Sequence, residues 1–182
     1  MRASSIRAHL TPYVIAAKRG TTIRHAFSSA VASVDVYDES RVREALTLLG
    51  EKNLDVLTCV YCDAPATTWD HLEALVRDKQ PSGAGHTLGN LVPACRTCNS
   101  QLGNKPWEAW LALRNAPPGR ADAIRAYQGR FRSGGKRLAV RELTSEETQR
   151  FWAIDSEIRE LMSEADRIVA KARTTALATK PG

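Results

Sequence analysis

The chain has 182 residues, 43% of them hydrophobic and 25% charged, which suits one folded domain or one small motif domain with helical additions. No apolar run approaches the roughly 20 residues that span a bilayer. Val14-Ile15-Ala16-Ala17 is too short for a signal core and runs straight into Lys18-Arg19, so a cytoplasmic protein without membrane association is expected. The formal charge of +6 is unevenly placed: residues 1–34 hold five Lys/Arg and no acid, and residues 96–141 hold ten Lys/Arg against Glu108 and Asp122. Two such patches suit phosphate neutralisation, although a single patch is more often only a solvated face.

Along the chain, residues 3–34 read as mostly helical from their Ala, Ser and β-branched content. Val42, Ala45, Leu46 and Leu49 fall at helical spacing, with Gly50 placed to end that helix. Residues 55–104 favour strands and turns. Thr67-Thr68-Trp69 has strand character and leads into Asp70-His71, the stretch from Gln80 to Gly85 is loop chemistry, and Leu91-Val92-Pro93 reads as a second strand. A helix is expected to open at Asn99, and another to run from about Ala121 to Tyr127 after the break at Pro117-Pro118-Gly119. Gly129 to Arg137 reads as a flexible cationic loop. Thr144-Ser145-Glu146-Glu147 has the form of a capping box. Phe151, Ile154, Ile158, Leu161, Ala165, Ile168 and Ala172 then trace a narrow seam, which fits a coiled coil or a long helix packed on the chain's own core equally well.

The chemistry gathers between these elements. All the cysteines lie in two Cys-x2-Cys pairs, Cys59/Cys62 and Cys95/Cys98, separated by 32 residues. Two such pairs can close a tetrahedral Zn2+ site with no open position, so this zinc is expected to be structural. Paired thiols without a secretion signal favour metal over disulfides. Asp70, His71, Asn90 and Asn99 are the residue types that hydrolysis of a phosphodiester requires. His71 suits the general base because imidazole titrates near neutrality. Asp70 and Asn99 offer oxygen ligands to Mg2+, Mn2+ or a similar cation, and Asn90 is placed to accept from His71 and fix its tautomer. Successive strand residues point to opposite faces, so Asp70 and His71 approach one site only if the strand ends there.

From Cys59 to Lys105 the chain resembles the HNH, or ββα-metal, nucleases. The residues that carry the likeness are Cys59/Cys62, Asp70-His71, Asn90-Leu91-Val92, Cys95/Cys98-Asn99 and Gly103-Asn104-Lys105. The resemblance implies an α+β fold, a ββα-metal finger stapled by a four-cysteine zinc site, with mainly helical N- and C-terminal extensions. It gives three segments: a basic N-terminal part over 1–54, the nuclease domain over 55–113, and a basic loop with a long helix over 114–182 for dimerisation or DNA binding. It implies His71 as base, Asp70 and Asn99 as ligands of the catalytic metal, Asn90 as the residue that orients the base, and double-stranded DNA as partner. One departure stands out. Many members carry a lysine three residues after the motif asparagine; here that position is Leu102, so Lys105 or Arg96 must substitute or activity falls.

His86, four residues before Asn90, is a minor candidate for contact with substrate or metal, more often only an exposed loop residue. His9 and His25 have no such context, and Trp107 and Trp110 read as core rather than base-stacking residues. Two functions follow: a metal-dependent endonuclease, restriction-type or otherwise and dimeric through the terminal helix if the coiled coil forms, or a zinc-stapled nucleic-acid-binding module without turnover.

Overall fold

The structure, a computed structural model, describes residues 4, 6, 10–114, 116, 118–132, 137–138 and 143–178. It is α+β, with small antiparallel two-stranded sheets among helices. The chain divides into two compact units, one formed by residues 28–142 and the other by 1–27 with 143–182.

In the larger unit, helix α2 (Glu39–Leu48) starts where Asp38 accepts from the Arg41 amide, and ends before Gly50, whose φ is +91°. Strand β2 (Thr68–His71) is followed by a short hairpin of β3 (Val76–Arg77) and β4 (Gln80–Pro81), so the stretch read as loop begins with two strand residues. Strand β2 pairs antiparallel with β5 (Leu91–Ala94), setting Asp70 opposite Val92 and His71 opposite Leu91. Helix α3 (Arg96–Leu102) follows β5 at once and packs against β2. It opens at Arg96, three residues before Asn99, because Cys95 takes the N-cap position and its sulfur accepts from the Cys98 amide. Helices α4 (Trp107–Ala112) and α5 (Arg120–Phe131) complete the layer around a core that includes Leu49, Val60, Tyr61, Val92, Leu102, Trp110, Ile124 and Phe131. Trp107 and Trp110 are buried, as expected, with Trp110 edge-on to Tyr61 at 5.2 Å between ring centroids. Strand β1 (Val34–Asp35) pairs with β6 (Arg137–Leu138).

The expected basic loop is shorter than its composition suggests. Helix α5 runs on through Gly129 and Arg130 because Phe131 is fully buried and its ring packs beside Tyr127. Arg130 pairs with Glu44 and Arg132 with Glu73, each at 2.7 Å, Arg125 pairs with Glu108 and Asp122, and Arg120 pairs with Asp63. Much of the cationic patch is therefore engaged within the chain. Residues 133–136 of that loop, and His9, lie outside the described residues.

In the other unit, α6 (Ser145–Ala178) begins with the expected capping box: the Glu147 carboxylate accepts from the Thr144 amide at 2.7 Å, and the Thr144 hydroxyl accepts from the Glu147 amide at 3.2 Å. Helix α1 (Ile15–Val31) lies along α6. Phe27 meets Phe151 at 5.0 Å between centroids, and the Asp166 carboxylate accepts from the Ile15 and Ala16 amides at 2.7 and 2.9 Å. The expected seam thus meets α1 at Phe151 but leaves Leu161 63% and Ile168 64% exposed. Among the described residues no helix is long and apolar enough to cross a membrane.

Candidate functional site

The four sulfurs of Cys59, Cys62, Cys95 and Cys98 all lie within 4.8 Å of one another, with Cys62 and Cys95 3.8 Å apart. Zinc–sulfur bonds of about 2.3 Å in a tetrahedron give an edge of about 3.8 Å, so the thiols fit a zinc ion. Two local turns build the cluster. The Cys59 carbonyl accepts from the Cys62 and Asp63 amides in the first knuckle, and the start of α3 carries Cys95 and Cys98 in the second. The Val60 amide donates to the Pro93 carbonyl, which ties the first knuckle to β5. Burial pushes the Cys59 and Cys98 thiols up, whereas the Cys98 N–H holds Cys95 down at about 7. A bound cation would offset the cost of ionising the two buried thiols.

Beside this cluster, β2 ends at His71, the condition under which adjacent residues can serve one site. Asp70 is buried. Its Oδ2 accepts from the Tyr61 hydroxyl at 3.0 Å and its Oδ1 from the His71 amide at 2.8 Å. Burial raises the Asp70 carboxyl above its ordinary range, and those two bonds oppose the rise. A nearby cation would draw it back down. Asn99 is half-buried in α3, and its Nδ2 donates to the Trp69 carbonyl at 3.3 Å. That bond ties the side chain of Asn99 to the backbone of β2, one residue before Asp70.

The side chain of Asn90 is bonded to backbone on both sides of the site. Its Oδ1 accepts from the Glu73 amide at 2.7 Å, and its Nδ2 donates to the carbonyls of Glu73 and Gly85 at 3.1 and 2.9 Å. Asn90 thereby fastens the chain just after His71 to the loop that carries His86. The imidazole Nε2 of His71 faces Nδ1 of His86 at 3.0 Å, with the rings at 67°. The structure thus brings His86 to the site and leaves His25 exposed on α1. Lys105, one of two expected substitutes for the missing lysine, has its ammonium on the carbonyls of Gln101 and Leu102, closing the C-terminus of α3.

Sequence reasoning missed Tyr61, which holds Asp70 from within the first Cys-x2-Cys pair. It also missed Ser33, Val34 and Asp35, which bracket the His86 loop. Neither carries a local signal, since both act through pairing that only the folded chain creates.

Residues 59–105, about a quarter of the chain, match the family model described as HNH endonuclease. Comparisons with curated proteins and with solved structures find no match. The match supports a nuclease-type function on nucleic acid: over residues 59–105 the chain matches an HNH endonuclease domain, with four cysteines positioned as a metal site.

Proposed function

We propose that the protein is a metal-dependent DNA endonuclease that hydrolyses phosphodiester bonds with His71 as general base. The observation that carries this reading is the union, inside the matched segment, of Asp70 and His71 at the end of β2 with Asn99 on the helix packed against that strand. His71 takes a proton from the attacking water at Nε2. Asp70 and Asn99 would hold a divalent cation, Mg2+ or Mn2+, which would supply charge stabilisation to the transition state and the leaving oxygen. Tyr61 orients the Asp70 carboxylate, Asn90 fixes the turn after His71, and zinc on the four cysteines holds the finger together. The exposed pairs made by Arg125, Arg130 and Arg132 contribute little to stability and are free to exchange for DNA phosphates.

The α6 helix supports a dimer of antiparallel copies. Its exposed Leu161–Ile168 stripe would meet itself, and the acid-rich stretch Glu157–Glu164 would face the end bearing Arg167, Lys171 and Arg173. A monomer by sedimentation at micromolar concentration would remove this part of the reading.

The test is plasmid cleavage by wild type and His71→Ala, with and without Mg2+ or Mn2+, on methylated and unmethylated DNA. Metal-dependent cutting should fall by about 10²–10⁴-fold in the mutant while zinc content and fold persist. Discrete bands would mark restriction-type action and a smear non-specific action. Undiminished cutting by the mutant would remove His71 from the role of base. The second reading, a zinc-stapled binding module, is favoured by buried Leu102 and engaged Lys105, and would be adopted if DNA is shifted on a gel but never cut.

A further inference from the structure

A general base must have its water within about 2.6–3.2 Å. At His71 that position is filled, in the resting protein, by Nδ1 of His86 at 3.0 Å from Nε2. For His71 to act as base its Nε2 must carry a lone pair, so the proton between the two rings belongs to His86, which donates. A gap of this length holds no water, and His86 must give way when substrate enters.

The backbone of His86 is held in place on both sides. Its amide donates to the Ser33 carbonyl at 2.8 Å, and its carbonyl accepts from the Asp35 amide at 3.2 Å. The Asp35 carboxylate accepts from the Leu88 amide at 2.8 Å, and Asn90 holds the Gly85 carbonyl at 2.9 Å. Gly85 lies so close to Ser33 that a Cβ there would stand 2.4 Å from the Ser33 carbonyl oxygen. Rotation of the His86 ring is the movement this clamp leaves open. An N–H displaced from the base needs another acceptor beside the reacting water, and a non-bridging phosphate oxygen is the charged acceptor that substrate brings to that spot.

We propose that His86 is a substrate-contacting residue of the nuclease site: its Nδ1–H exchanges the His71 lone pair for a non-bridging oxygen of the scissile phosphate, and the same movement uncovers the base. The inference rests on the reading of His71 as base. It assigns His86 two linked duties, holding the base closed at rest and contributing a donor to the phosphate during reaction.

The experiment compares zinc-loaded wild type, His86→Ala, His86→Asn and His71→Ala on a short DNA duplex with Mg2+, reading kcat and KM separately. Loss of one donor to a developing charge is worth about 10²-fold, so His86→Ala should lose about that in kcat with zinc content unchanged. His86→Asn, whose amide N–H stands in for Nδ1–H, should recover most of the loss. A second readout needs no turnover: in ¹⁵N-histidine-labelled His71→Ala protein without added Mg2+, the His86 signals should shift on adding the duplex. Cutting by His86→Ala at the wild-type rate or faster would reduce His86 to a resting cover and overturn the proposal, as would His86 signals unmoved by saturating duplex. If His71→Ala itself cuts normally, the base assignment fails, and the ¹⁵N shift still reports separately on whether His86 meets phosphate.

Discussion

Gly89 joins the His86 loop to Asn90, and its replacement by alanine measures how tightly that loop is pressed onto α5. Its φ is +90°, and an added Cβ would lie 3.0 Å from the carbonyl carbon of Phe131 and 3.1 Å from the Arg132 amide nitrogen. Gly50 supplies the control, with φ at +91° and nothing within 4 Å of the same added atom. Both substitutions incur the left-handed backbone penalty of about 1–2 kcal/mol. Only Gly89→Ala adds overpacking against backbone, about 1–3 kcal/mol. Gly50→Ala should thus cost about 1–2 kcal/mol and Gly89→Ala about 2–5 kcal/mol, the difference isolating the close approach. Urea unfolding of the zinc-loaded protein, followed by tryptophan fluorescence, measures both. Because Asn90 and His86 flank the glycine, Gly89→Ala should also slow cleavage more than Gly50→Ala does. Equal costs for the two variants would refute the reasoning, since the backbone term alone would then account for Gly89.

Leu102→Lys should not restore a missing phosphate contact. Leu102 is 1% exposed in the core, so a lysine there should cost about 4 kcal/mol or more, and a stable, more active variant in a melting and cleavage comparison would contradict that. Asp70→Asn should abolish metal-dependent cutting while leaving thermal stability equal or higher. Burial already disfavours the ionised carboxyl, the Tyr61 hydroxyl can turn to accept from the new amide, and a large fall in melting temperature would count against this. The Tyr127 hydroxyl is pushed up to about 12 and that of Tyr61 higher still, by burial in both cases. The unfolded chain therefore loses these protons first, and stability should decline as pH rises from about 10 towards 12. Phenolate absorbance and circular dichroism followed together should show these two tyrosines ionising with unfolding, and ionisation of both in the intact fold would disprove their burial.

The four-cysteine cluster and the elements that bear Asp70, His71 and Asn99 are legible because the residues are close in sequence and each chemistry needs a narrow set of side chains. The capping box at Thr144 and Glu147 was legible for the same reason, being a local bond pair. Distant packing decides the rest. The composition after Gly129 reads as a loop, but buried Phe131 extends the helix through Arg130. The backbone bonds of Asn90 to Glu73 and Gly85 carry no local signal. His86 reads only as a minor candidate because its neighbours in sequence are glycine-rich loop, while its position beside His71 depends on residues 33–35, about fifty positions away. The seam on α6 was read correctly as a helix, yet its spacing could not say which side α1 would cover.

The pairing of β1 with β6 has a consequence for how such a chain can be assembled. Val34 stands opposite Leu138 and Asp35 opposite Arg137, so two strands near the limits of the 28–142 unit are paired neighbours. A unit with adjoining ends can be spliced into a host chain at a single turn without stretching either partner. The helical residues on each side then become interchangeable fittings, and a nuclease cassette of this form can acquire new flanking helices, and with them new targeting, without rebuilding its core.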